Sequence, residues 1–561
     1  MVSFGQSNIN FAYHDKLEAI GWSVSGSALV EINGDYYFSS TKLDASGYSS
    51  VFLYKVTSNG NLVFRKKLNI GFISPVKLIK TLDNKLLFIA NEAMCDVVPS
   101  YQPNYIFKID TSGAITFTNS YTEYFGNFFT HVVQQQDSTY YVFSDSVMYH
   151  YSKSGALLLR KNTGLKQISS ALMHPSGDVL LSAVNNSVNT INRMNSSGAI
   201  TFSLASNVLL KKMAFYNGNQ IMGLGNDGAL HKYSSNYVPI GNSAFSFTMS
   251  LSDMVVSNDS IYCISSNATP IYLISDSVFN VVSLSNSTIV GLTQKTIVKK
   301  QDKIAVLSEA LSKSSNNWPN NHLYVTLNVF DKHESNNVQD DIEIVAVTTD
   351  SSYVTSVPTQ TNSNSPRVYD YFLRAKVKVK NKGNASLNSF KLNCFLNPYI
   401  SCGNYYYQQK FDGFSVAPGE TLEVLTNFIQ KTTYTTGLVP SSINHTVCLF
   451  ASVPNSKADK DPLNNEVCLS VTYTTDVSLK EDFIMGYITN VYPNPFESKF
   501  VIESNTNIKA INLFDQLGRI LYSKTTDASQ AALELENFDN GIYFLLIKTE
   551  KGSEIKKVIK H

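Results

Sequence analysis

The groups able to do chemistry in this 561-residue chain are nine histidines, six cysteines and 44 acidic residues. Zinc-peptidase chemistry needs a His-Glu-x-x-His helix, acyl transfer a strained Gly-x-Ser-x-Gly turn, and phosphate binding a glycine-rich loop. None of these is in the sequence, and no Cys/His pairs stand at zinc spacing. Asp35, Asp137 and Asp178 fall at the tips of predicted hairpins, where aspartate is a turn former. Asp459, Asp461, Asn464 and Asn465 offer oxygen ligands for calcium, but not at EF-hand spacing and with no bidentate glutamate in place. A solvated hairpin turn is the better reading of that stretch. No catalytic residue, cofactor-binding residue, metal ligand or cofactor is assigned, and a non-enzymatic protein is expected. The alternative is a secreted enzyme acting on glycans or peptides, since a ring of sheets can assemble a site from distant segments.

Any such site has to be positioned by β-structure. Hydrophobic residues make up 43% of the chain and charged residues 16%, with 32 Tyr and 32 Phe against two Trp, a strand-rich composition. The length calls for several domains. A net charge of +1 gives no bulk electrostatic case for nucleic acid or an anionic membrane. No apolar run approaches the length of a membrane span. The start, Met1-Val2-Ser3-Phe4-Gly5-Gln6, has no basic region and only a stub of apolar sequence. Residues 1–7 read as the tail of a removed signal peptide or as a plain, disordered N-terminus.

The first 330 residues repeat. Tyr54–Gly60, Phe107–Gly113, Tyr149–Gly155 and Asn192–Gly198 share one pattern, an aromatic or polar start followed by a Ser/Thr/Asn-rich turn, closed by glycine. His231–Tyr237 and Tyr272–Val278 are degenerate copies. Apolar strands follow the turns, as in Ile115-Thr116-Phe117 and Ile200-Thr201-Phe202. Ahead of each turn lies a further hairpin: Leu29–Phe38, Val76–Ile89, His131–Phe143, Leu172–Leu181, Met213–Met222, Met254–Ile264 and Ile297–Leu307. Two hairpins make a four-stranded sheet that buries its faces only when stacked radially. A seven-bladed β-propeller over residues 8–335 is expected, with a sandwich or solenoid as the alternative. The turn sequence resembles the repeats of quinoprotein-like and related secreted bacterial propellers, a resemblance that bears on fold only. Cys95 and Cys263 fall on nearly opposite blades and are read as unpaired.

The last blade lacks an outer strand of its own, whereas the N-terminus has a spare one at Ile9-Asn10-Phe11. Asn8–Tyr13 is expected to pair with Leu323–Val329 and close the ring, because an open ring leaves two unpaired edges.

Residues 338–475 change character. Arg374–Lys380 alternates, with Ala375, Val377 and Val379 on one face. Turns at Asn381-Lys382-Gly383-Asn384 and Ala417-Pro418-Gly419-Glu420, and about seven strands, suggest an Ig-like sandwich. The order Lys-Asn-Lys-Gly-Asn, Ala-Pro-Gly-Glu and Asp-x-x-Asn-Asn-Glu resembles the CARDB-type, adhesion-like modules of bacterial surface proteins.

After a linker, 476–491, residues 492–561 form a small β-domain of short runs, with Ile542–Ile547 apolar on both faces like a strand between two layers. The whole chain is thus read as all-β, a seven-bladed β-propeller followed by two Ig-like β-sandwich domains. Four motifs mark the last domain: Pro493-Asn494-Pro495, Asp515-x-x-Gly518-Arg519, Gly541-Ile542-Tyr543 and Lys556-Lys557-x-x-Lys560. Together they resemble the type A C-terminal sorting domain of the type IX secretion system of Bacteroidota. Here the chain ends one residue later, at His561, where that family often ends in Lys or Arg. The resemblance implies Sec export, passage through the type IX translocon with its outer-membrane shuttle protein, and cleavage by a sortase within 474–491. It implies a secreted or cell-surface protein. The propeller is expected, as a separate reading, to meet an unidentified surface ligand, protein or glycan, in adhesion or gliding. Disulfides persist outside the cell. Cys394/Cys402 and Cys448/Cys468 each flank a probable hairpin, so local pairing is favoured over four buried thiols. Asp145-Ser146-Val147, Asp259-Ser260-Ile261 and Asp276-Ser277-Val278 resemble O-glycosylation acceptors of such exports.

Overall fold

The computed structural model describes residues 10–20, 29–43, 49–68, 73–92, 101–124, 127–242, 251–257, 260–265, 272–275, 280–283, 292–311, 323–331, 338–358, 367–396, 405–435, 442–474, 489–515, 519–536, 538–550 and 552–561. The chain is all-β and divides into two compact units, Met1–Thr474 and Thr475–His561. Among the described residues no helix is long and apolar enough to cross a membrane.

The N-terminal region is a β-propeller built on one local device. Asp110 N donates to Ala114 O and Gly113 N to Asp110 O, while Asp110 Oδ1 accepts from the backbone N–H groups of Ser112 and Ala114. Ser152 and Asn195 do the same in their own turns, with Oγ and Oδ1 as acceptors. The polar side chain closes the loop that the next strand leaves. Gly60, Gly113, Gly155 and Gly198 have φ of 84°, 80°, 87° and 73°. Glycine adopts that left-handed conformation without steric cost. It is needed a second time for packing: a Cβ on Gly155 would come within 2.4 Å of the Phe117 ring in the preceding sheet. This explains why the turn and the Ile-x-Phe strand recur together. The degenerate copy keeps the turn with Tyr237 at φ 66°, its ring packed on Phe202 at 5.4 Å between centroids.

Four-stranded antiparallel sheets follow in chain order, opening on Leu29–Ile32, Ile73–Lys80, His131–Gln134, Lys166–Met173, Leu210–Tyr216, Leu251–Ser257 and Leu292–Lys300. These opening strands touch one another in cyclic order, and the last returns to the first. Each neighbouring pair of sheets shares a buried apolar cluster, such as Leu78, Phe88 and Phe107 with Leu53 of the sheet before. The last sheet is completed by Asn10–Ile20, which pairs antiparallel with Leu323–Asp331 from Asn10↔Asp331 to Ile20↔Leu323. The N-terminus closes the ring as expected but in another register: Tyr13–Ile20, not Asn8–Tyr13, faces Leu323–Val329, Asn10 and Phe11 face Asp331 and Phe330, and Asn8 and Ile9 lie outside the described residues. Cys263 is buried and unpaired; Cys95 lies outside the described residues.

In the middle domain Ala375, Val377 and Val379 are all fully buried, as their alternation requires. One layer is Tyr405–Val416, Leu387–Leu396, Ser442–Ser452 and Glu466–Thr474; the other is Ile342–Pro358, Arg367–Asn381, Thr421–Leu425 and Ile429–Thr435. A single parallel pair, Tyr353↔Thr474, links the layers into one hydrogen-bonded path, so the sandwich is nearly closed along one side. Cys448 and Cys468 face each other on adjacent strands and form a disulfide. Cys394 is buried in the core of this domain; Cys402 lies outside the described residues. The stretch 459–465 departs from expectation: Asp461 O accepts from Asn464 N, so it is a turn, but Asp459 and Asn465 are fully buried rather than solvated. The reason is that the turn folds over the entry segment Asp340–Ile342 instead of projecting from the sheet.

In the C-terminal unit the short runs merge. Lys499–Phe514 and Ile520–Glu534 are two long bent strands, irregular in register between Glu503 and Ile508. Gly541–Thr549 lies between Lys499–Phe514 and Gly552–Lys560. Against expectation its two faces are unequally covered: Tyr543, Leu545 and Ile547 are buried, whereas on the other face Ile542 and Leu546 are half-buried and Phe544 is 38% exposed. Being central in hydrogen bonding does not make a strand central between layers.

Candidate functional site

Two regions bring functional groups together: the C-terminal motifs and the interior of the ring.

The Pro-Asn-Pro segment is exposed at Pro493, Asn494 and Pro495, with cis bonds before both prolines. Asn494 reaches the final strand with both ends of its amide: Nδ2 donates to Lys557 O at 2.9 Å, and Oδ1 accepts from Ile559 N at 2.9 Å. Phe496 and His561 continue that pairing through the backbone. Asp515 closes its turn by accepting from Arg519 N and Arg519 Nε, at 2.9 and 2.6 Å; Gly518 lies outside the described residues. Gly541 begins the strand that carries Tyr543, whose hydroxyl donates to Asp539 O at 2.5 Å. Lys560 is buried, 7% exposed, and its ammonium donates to Glu536 O at 2.9 Å and Phe538 O at 2.5 Å. Lys557 is exposed and Lys556 half-buried on the same strand. Four motif residues, Asn494, Asp515, Tyr543 and Lys560, thus satisfy backbone groups with their side chains.

Residues 490–561 match the family model described as "Secretion system C-terminal sorting domain". The end of this chain is a sorting domain of the type IX secretion system. It marks the protein for secretion or attachment to the cell surface and implies contact with the secretion machinery. The linker that precedes it is outside the described residues for 475–488, while Thr489–Tyr492 already pairs as the sorting domain's first strand.

The ring interior was not legible from motifs. Lys77, Lys212, Asp253 and Thr296 lie on the opening strands of four sheets, each just past an irregularity in strand register: Pro75/Lys77, Leu210/Lys212, Leu251/Asp253 and Gln294/Thr296. Bulges of this kind re-aim a side chain. Lys212 Nζ lies 2.6 Å from Asp253 Oδ1, and Asp253 Oδ2 accepts from Thr296 Oγ1 and Ile297 N at 2.9 and 3.0 Å. Asp253 is 6% exposed, so this is a satisfied, buried carboxylate that ties three sheets together. Lys77 is different. Burial, with Lys212 adding to it, pulls its ammonium down to about 8, against a partly offsetting Asp253. His131 on the neighbouring sheet is lowered well below the ordinary histidine value by burial and by Lys77, and its Nδ1 is buried without a hydrogen-bond partner. The bulge breaks the two-residue alternation, so no periodicity in the sequence marks these positions.

Of the three hairpin-tip aspartates read as turn formers, Asp137 closes its turn, while Asp35 and Asp178 make ion pairs instead. Asp35 pairs with Lys55 at 2.9 Å and Asp178 with Arg193 at 2.6 Å, while Asp137 accepts from Thr139 N. Of the acceptor-like sites, Ser146 and Ser260 are half-buried, and Asp259 and Asp276–Val278 lie outside the described residues.

Among solved structures, virginiamycin B lyase from Staphylococcus aureus aligns at TM-score 0.43 and 9% identity, over 57% of this chain and 98% of that one. A streptogramin B lyase aligns at TM-score 0.40 and 10% identity, over 57% and 99%. The Dos1 propeller aligns at 0.39 and 12%, over 58% and 97%. Likenesses at this level carry no functional argument. A search of curated proteins finds no match.

Proposed function

We propose that this is a type IX cargo whose seven-bladed propeller is a non-enzymatic binding module for an anionic surface ligand, with the Ig-like middle domain as its support in adhesion. The observation that supports the reading most is Lys77. It is a lysine inside the ring with no carboxylate ion pair among the described residues, next to an imidazole with an unused nitrogen. Asp253, the nearest acid, is already engaged by Lys212, Thr296 and Ile297. An anion entering the ring would supply the missing countercharge. The sortase and the outer-membrane shuttle protein are its expected partners during export.

The test is a glycan array probed with the full chain and with Lys77→Met. Retention on uronic-acid or sulfated glycans, lost in the variant and absent on neutral glycans, is the expected result. Equal retention of neutral glycans by both proteins would sink the anionic assignment.

A second reading, a secreted propeller enzyme acting on glycans or peptides, draws on the same pair. A lysine titrating near neutrality beside a neutral imidazole suits proton transfer. Turnover of a retained glycan that His131→Ala abolishes would favour this reading.

A further inference from the structure

The loop from Val453 to Asn465 folds over the segment by which the chain enters the middle domain. Lys460 N donates to Asp340 O at 2.8 Å, and Asn455 Nδ2 and Lys457 Nζ reach the Asp340 carboxylate at 2.6 and 3.4 Å. On its other side the loop sends Val453 and Ala458 into the apolar cluster shared by the first and last sheets of the ring, beside Val338. It is thus the fastener between ring and middle domain.

Its interior is lined with oxygen. Asp459 and Asn465 are fully buried and Asp341 is 7% exposed; Asn464 is half-buried and Asp461 exposed at the rim. Asp459 Oδ1 accepts from Asp461 N at 3.1 Å, and Asp459 Oδ2 from Asn465 Nδ2 at 3.4 Å. Asp341 Oδ1 accepts from Asn464 Nδ2 at 3.0 Å. Both asparagines thus spend their N–H ends on carboxylates. Their oxygens, Asn464 Oδ1 and Asn465 Oδ1, are buried with no hydrogen-bond donor. Among the described residues the loop's lysine ion pair goes to Asp340, and none is made to Asp341 or Asp459.

Two deficits coincide here: buried carboxylates without a direct ion pair among the described residues, although Lys382 and Lys460 act on Asp341 from a distance, and buried amide oxygens without a donor. Each alone is costly, and one hard cation removes both. Oxygen-only donors exclude a zinc-type site, and a mixed set of carboxylates and amides on a curved loop suits calcium better than the rigid octahedron of magnesium. Among the described residues Asp341, Asp459 and Asp461 do not form a three-carboxylate cluster, so the candidate donor set is two carboxylates and the two unpartnered amide oxygens. We propose that Asp341, Asp459, Asn464 and Asn465 bind one calcium ion, with Asp461 at the rim, and that the ion pins the fastening loop once the exported chain meets extracellular calcium.

The full chain, stripped with chelator and titrated with calcium chloride, tests this by equilibrium dialysis and calorimetry. One calcium per chain is expected, with a rise in Tm of about 5 °C at saturation and a smaller rise with magnesium. Asp459→Asn should weaken calcium binding at least ~10-fold. Asn464→Ala should do so too and, because it also removes the donor to Asp341 Oδ1, it is compared with its own chelated state: its rise in Tm on adding calcium should shrink. No bound calcium overturns the proposal and leaves a proton on Asp459 as the loop's remedy. Calcium bound equally by the wild type and both variants also overturns it, because the ion then sits elsewhere.

Discussion

The sorting domain and the ring use their recognisable polar side chains alike and differ in what the ring carries besides. In the sorting domain the residues that make the signal recognisable are fasteners: Asn494 holds the last strand, Asp515 its turn, Tyr543 and Lys560 the 536–539 loop. In the ring the recognisable repeat is also a fastener, with Asp110, Ser152 and Asn195 closing backbone turns. The groups there with something to spare, the charge of Lys77 and the unpartnered Nδ1 of His131, lie outside the recurring turns. A motif that survives in sequence marks where backbone needs closing; groups available to a ligand are set by bulges and by neighbours across the ring.

The largest effect should come from breaking the ring itself. Removing residues 1–20 takes away the outer strand of the last sheet and leaves Leu323–Asp331 an unpaired edge. The truncation should lower the stability of the first unit by more than about 3 kcal/mol. Calorimetry of the truncated chain checks it; melting unchanged from the full chain would show that the closure does not support the ring.

Next is the buried end of the signal. Lys560→Ala leaves two carbonyls without their charged donor and should cost the sorting domain about 2 kcal/mol. Lys557→Ala, on the same strand and exposed, should leave stability within about 0.5 kcal/mol. Measuring both stability and export separates the roles: an export defect in Lys557→Ala without a stability change identifies a contact with the machinery, and one in Lys560→Ala alone identifies a fold requirement.

Much of this was legible in advance, for a physical reason. The turn repeat, the strand that closes the ring and the sorting motifs all depend on residues near each other in sequence or on plain alternation, as at Ala375, Val377 and Val379. The covered face of Gly541–Thr549 was misread because an apolar run does not say whether one layer or two will cover it. Asp459 was misread because what buries it, the segment Asp340–Ile342, lies over a hundred residues away. Lys77, Lys212, Asp253 and Thr296 were invisible because each follows a break in register, where alternation fails.

The ring's spare charge gives a pH signature of its own. Lys77 is held at about 8 in the folded protein, below the ordinary lysine value of 10.5. Below pH 8 the group is charged in both states and the folded state bears the cost of burying it. Between about 8 and 10.5 only the unfolded chain keeps the proton, so stability rises with pH in that window. Lys77→Met should therefore be more stable than the wild type at pH 7 by roughly 1–3 kcal/mol, with the difference shrinking above pH 8. Chemical denaturation at pH 7 and 10 checks it; a constant difference would place the lysine in solvent.

The smallest expected effect bears most directly on what a sorting motif is. Tyr543 is 7% exposed and its hydroxyl donates to Asp539 O, in the loop whose Glu536 and Phe538 carbonyls Lys560 holds from the other side. Tyr543→Phe keeps the ring, which packs edge-on against Phe538 with centroids 6.1 Å apart, and deletes only the hydroxyl. The loss should be about 1 kcal/mol. If the motif acts by holding the domain together, export of Tyr543→Phe should fall only as far as that destabilisation predicts, and less than export of Lys560→Ala. Because the hydroxyl faces the domain's own backbone, the secretion machinery cannot read it without first opening the loop. Export abolished in Tyr543→Phe while the domain melts within about 1 kcal/mol of the wild type would mean that the loop does open, and that the fasteners of the sorting domain are also its recognition surface.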